Sequence, residues 1–88
     1  MNVEPLVNAV VAAMMVLEES EPEQVDPDTA VRGLENIGYE LLKLSGDDRL
    51  EFMQLLERMA RAVDDDRTAR FMRALPFSVG MVENPSAR

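Results

Sequence analysis

Cysteine and histidine are absent from this chain of 88 residues, and lysine and tyrosine occur once each, as Lys43 and Tyr39. Without cysteine there is neither a disulfide nor a thiolate-held zinc. Without histidine there is no imidazole base, and the Glu-x-x-His pairs of a di-iron bundle cannot be built. The lack of cysteine fits a reducing compartment, so a cytoplasmic location is expected. A long apolar run is also missing. The stretch LVNAVVAAMMVL, Leu6 to Leu17, is apolar except for Asn8, but a membrane span needs roughly 18 or more such residues. A signal peptide needs positive charge ahead of its apolar run, and Asn2 and Glu4 stand there instead. No membrane association is expected.

A chain of this length makes one domain and buries only about 60% of the surface its unfolded form exposes. With no covalent or thiolate–metal staple, stability must come from helix packing or from a second chain. The net charge is -8, and it is unevenly placed. Residues 1–30 carry Glu4, Glu18, Glu19, Glu21, Glu23, Asp26 and Asp28 and no base, whereas acids and bases nearly balance afterwards. Such a surface repels phosphate backbones, so no nucleic-acid partner is expected. It suits solubility or a basic protein partner.

The spacing predicts an all-α fold, a small four-helix bundle-like domain over residues 1–82, with helices at about 5–19, 27–44, 46–63 and 66–75. A flexible tail is expected at 83–88. Pro5 suits the first turn of helix one, and Pro22 discourages its continuation. Helix two starts at an Asp26 cap followed by Pro27, and repeats apolar residues at Ala30, Val31, Leu34, Ile37, Leu41 and Leu42. Gly38 lies on that face and suggests close approach of helix one at Ala12 or Ala13. In LSGDDRLEF, Ser45 with Asp48 three residues on reads as a capping-box start for helix three. The short connection predicts that helices two and three form a central antiparallel αα-hairpin. Helix four follows the aspartates 64–66 and is expected to stop at Pro76. Beyond it, Phe77, Val79 and Met81 alternate with smaller residues. An irregular tail is expected there, either a short extended segment laid on the bundle or a docking peptide.

Catalytic chemistry is hard to assemble. Lys43 reads as a solvated helix-end charge, and the serines serve caps, loops or tail. No calcium-loop spacing fits from Asp26 or Asp64. The aspartates 64–66 read as a helix-start cluster. Arg58, Arg61, Arg67, Arg70 and Arg73 could form a basic strip, but Asp64 and Asp66 are placed to neutralise Arg67 and Arg70 locally. No catalytic residue, metal ligand or cofactor is expected.

Helix one breaks the pattern of the others. It is apolar on every side, and Glu18 and Glu19 at its C-terminal end have the wrong sign for the helix dipole. Such departures mark function or assembly. The expected function is a small, acidic, non-catalytic protein-interaction domain, homodimeric through helix one. The apolar contact residues are Val7, Val10, Val11, Met14 and Met15, with Phe77, Val79 and Met81. The acidic contact residues are Glu18, Glu19, Glu21, Glu23, Asp26 and Asp28. An inhibitor of a basic protein is one form of this. Size and charge resemble those of bacterial nuclease-immunity proteins, although their paired tyrosines are missing. The alternative is a carboxylate-based, divalent-metal-dependent hydrolase assembled as an oligomer. Glu18 and Glu21 resemble the Glu-x-x-Glu half of the acidic motif of all-helical nucleotide pyrophosphohydrolases, but no Glu-x-x-Asp follows.

Overall fold

The computed structural model describes residues 1–82. It contains four helices: α1 (Glu4–Glu19), α2 (Pro27–Leu41), α3 (Gly46–Ala62) and α4 (Asp66–Ser78). No strand occurs among the described residues, and no helix there is long and apolar enough to cross a membrane. The expected tail at 83–88 lies outside the described residues.

Local chemistry sets the helix starts. The Asp26 carboxylate accepts the Thr29 N–H at 3.2 Å, with Pro27 as the first helical residue. The Ser45 hydroxyl oxygen accepts the Asp48 N–H at 3.2 Å, which forms the forward half of the expected capping box. The Asp65 carboxylate accepts the Thr68 N–H at 3.1 Å and the Thr68 hydroxyl. Each cap satisfies a donor that the first turn leaves unpaired.

The helices associate as two close pairs, α1 with α2 and α3 with α4, and α1 bridges to both α3 and α4. The central hairpin of α2 on α3 does not form, since no approach between those two helices is present. The reason lies in α2. Its one apolar stripe, which includes Ala30, Leu34, Ile37 and Leu41, serves the core around α1 and leaves no second apolar face for α3. The corner is held by Arg49, which donates to the carbonyl of Leu44 at 3.0 Å and to that of Leu42. A short link therefore reverses the chain without bringing its two helices together.

The core is Val7, Val11, Met14 and Met15 of α1, Leu55, Leu56, Met59 and Ala60 of α3, and Ala69, Met72 and Leu75 of α4. Leu56 and Leu75 are each 1% exposed. Burial of a side chain of this size contributes about 1.5–3 kcal/mol. No polar or charged residue is buried among the described residues.

Pro76 does not end α4, which runs on to Ser78. The stop comes at Gly80, with φ +86°. The Met81 N–H donates to the Pro76 carbonyl at 2.8 Å and the Gly80 N–H to the Phe77 carbonyl at 3.2 Å. These paired bonds form a Schellman termination, which needs a left-handed residue that glycine supplies without strain. Phe77 is thus helical and Val79 is the C-cap, not part of an extended segment.

Candidate functional site

Helix α1 divides its apolar residues by face. Val7, Val11, Met14 and Met15 point into the core of this chain, and Val10 is half-buried. The expected seam residues are therefore taken up internally, because α3 and α4 present leucine and methionine to them. The solvent face is a different stripe. Leu6, Ala9, Ala13 and Val16 follow one another at helical spacing and are all exposed, Leu6 by 54% and Val16 by 63%. No polar side chain interrupts that stripe.

The acidic contact residues fall at the C-terminal end of α1 and in the following link. Glu18, Glu19, Glu21, Glu23, Asp26 and Asp28 are all exposed. Glu19 meets Arg67 of α4 at 3.3 Å, which gives the unfavourable helix-end charge a partner. Asp26 is occupied as a cap. Glu18, Glu21, Glu23 and Asp28 have no cation within 4 Å among the described residues.

The arginines of α3 and α4 are mostly paired. Glu57 receives Arg73 at 2.9 Å and lies 3.9 Å from Arg61. Asp66 holds Arg70 at 3.3 Å, whereas Arg67 reaches Glu19 rather than the expected Asp64. Lys43 pairs with Glu40 at 2.6 Å and lies 5.0 Å from the centre of the Tyr39 ring.

Gly38 is not where α1 comes close. A Cβ there would stand 3.3 Å from Val79 Cγ1, so its neighbour is the end of α4. Gly33 has the α1 contact instead, since a Cβ added there would stand 3.0 Å from Leu17 Cδ1. Next to Gly38 opens a groove of about 440 Å³ that sequence reasoning missed. Leu34 and Tyr39 of α2 with its C-cap Leu42 form one wall, Phe71 and Val79 the other, and Met14 the floor. Glu18 and Glu35 stand at its rim. The groove exists because α2 packs along α1 and meets α4 only at its C-cap, Val79, and this could not be read without knowing the pairing. Phe77 lies elsewhere, 37% exposed beside Pro76, Met53 and Leu56. Met81 is half-buried beyond the Schellman turn. Another hollow, of about 700 Å³, lies between the chain start and α3.

Among the described residues no three carboxylates converge as a metal-ligand set, so Glu18 and Glu21 have no third partner there. The acidity of Asp65 is altered by its role as a cap. The hydrogen bonds from the Thr68 side chain and then its N–H hold its carboxyl below the usual aspartate range. This is a structural cap.

Comparison with known protein families, with curated proteins and with solved structures finds no match to this chain.

Proposed function

We propose that this chain is a small non-catalytic protein-interaction domain that pairs with a second copy of itself through the outer face of α1 and turns its acidic segment toward a basic protein. The observation that carries the reading is the uninterrupted apolar stripe of Leu6, Ala9, Ala13 and Val16. An exposed helix normally keeps its solvent face polar. Alanines at the middle of the stripe let two helices approach closely, with Leu6 and Val16 packing at the ends.

The magnitudes favour a weak pair. Leu6 is 54% and Val16 63% exposed, so covering them on both chains contributes roughly half of the about 1.5–3 kcal/mol of full burial per side chain, with Ala9 and Ala13 adding to it. Association itself costs an estimated 4–15 kcal/mol. The surplus is small, and the dimer forms reversibly with concentration. The unpaired carboxylates of Glu18, Glu21, Glu23 and Asp28 favour a basic partner, with an association rate that falls as salt rises.

Sedimentation equilibrium over a wide concentration range tests the pairing. The wild type shifts from monomer toward dimer, and Leu6→Glu with Val16→Glu remains monomeric and helical by circular dichroism. A wild type that is monomeric throughout, or a variant that dimerises equally well, overturns it.

A further inference from the structure

We infer that the groove between α2 and α4 is a docking site for one amphipathic helix of a basic protein, seated by apolar anchors with Lys or Arg on either side of them. This rests on the proposed basic partner and does not need the α1 pairing. Three observations carry it.

The groove is apolar where an anchor would sit. Met14 forms its floor, and Leu34, Leu42, Phe71 and Val79 line it. Its volume of about 440 Å³ falls in the range of sites that take up apolar groups. It holds a few anchor side chains and leaves the helix that carries them lying across the opening. Its walls are helices, and α2 has a single helical neighbour, α1. A docked helix would give α2 a second neighbour, as in the helix-in-groove mode of recognition.

The rim fixes the charge of the occupant. Glu18 of α1 and Glu35 of α2 both line the groove. Neither has a cation within 4 Å among the described residues. Glu21, Glu23 and Asp28 extend the same sign along the chain next to Glu18, and Lys43 is already paired with Glu40. An acidic or neutral helix would leave these carboxylates without compensation, whereas a helix flanked by Lys or Arg pairs with them. Tyr39, 66% exposed, lines the groove, with the Lys43 ammonium 5.0 Å from its ring centre.

Fluorescence anisotropy with two synthetic peptides and the full chain tests the inference. One peptide carries leucines at i, i+4 and i+7 with lysines at both ends. The other has the same lysines, with serine in place of each leucine. The leucine peptide binds about tenfold or more tightly than its control, and binding weakens with salt. Ser78→Phe fills the groove from an exposed position on its edge, and Tyr39→Ala removes an exposed part of the wall. Each lowers affinity by several-fold or more, with the helical spectrum unchanged, whereas Val16→Ser on the outer face of α1 does not. Equal binding of the two peptides overturns the groove and leaves the acidic-face reading standing. Absence of binding by both overturns the two together. Peptide affinity unmoved by both Ser78→Phe and Tyr39→Ala also overturns it. So does weakened self-association in those variants, which would assign the groove to a second copy.

Discussion

Gly38 of α2 lies directly against Val79 at the end of α4, where an added Cβ would come within 3.3 Å of Val79 Cγ1. This contact joins the two helix pairs at a distance in sequence that no local pattern reveals. It also sets one end of the groove. Two effects compete on substitution. Alanine removes the glycine penalty of about 1 kcal/mol in a helix interior, and Val79, half-buried at a helix end, can give by the few tenths of an ångström required. Gly38→Ala is therefore expected to change stability by less than about 1 kcal/mol. Gly38→Val overpacks the same contact and costs about 1–3 kcal/mol. Urea unfolding of both variants checks the order. A Gly38→Val as stable as the wild type would mean that the contact is not closed in solution.

Leu56 and Met14 report on the core within one chain. Leu56→Ala is expected to cost about 2–5 kcal/mol, a large share of what a domain this small possesses. Met14 is 3% exposed, so Met14→Asp places a carboxylate in the core and unfolds the monomer. Val16→Ala, on the solvent face, is expected to leave monomer stability nearly unchanged. Thermal melts at low concentration measure all three. A tolerated Met14→Asp would show that α1 is not held in the core.

Asp65 gives the fold a pH dependence. Its carboxyl is held below its ordinary value in the folded chain by Thr68, so its charged form favours folding. That contribution is complete above the ordinary aspartate range and fades as pH falls through the depressed folded value. Melting of the wild type and Asp65→Asn across acid pH should converge toward the low end and separate above it, with the wild type the more stable. Parallel curves would show that the cap is not made. A wild-type advantage that grows in acid would reverse the sign and contradict it.

The parts of the fold legible in the sequence are those set by neighbours in the chain. Asp26, Ser45 and the aspartates 64–66 announce helix starts because a cap needs only a side-chain oxygen and the N–H three residues on. The end of α4 was equally local but carried two competing signals. Pro76 tolerates a helix that is about to finish, and the deciding residue was Gly80, whose Schellman bonds involve Pro76 itself.

Long-range pairing was less legible. A short link suggested that α2 and α3 pack together, yet Arg49 can close the corner without contact between the helices. Which face of α1 stays exposed was hard to read for a related reason. When every face is apolar, periodicity loses its contrast and cannot tell Val7 from Leu6. Size sets apart only the alanines, since Leu6 and Val16 are exposed while Val7 and Val11 are buried. Ala9, Ala12 and Ala13 are exposed, whereas Val7, Val11, Met14 and Met15 fill the core. The excess of exposed apolar surface is therefore smaller than the composition suggests and sits on the opposite face. The groove needed both the pairing of the helices and the position of Val79, neither of which the sequence displays.

The absence of native cysteine allows a direct test of α1 against α1. Ala9→Cys and Ala13→Cys place single thiols within the exposed stripe, and Asp47→Cys places one on α3 as a control. Each variant, and an equal mixture of the first two, is oxidised under mild conditions and resolved on a non-reducing gel. The account predicts a cross-linked dimer from the stripe variants, alone or mixed, well above the Asp47→Cys control, and its loss when Leu6→Glu and Val16→Glu are added. Cross-linking no greater than the control would contradict it and leave α1 as the wet outer wall of a monomer.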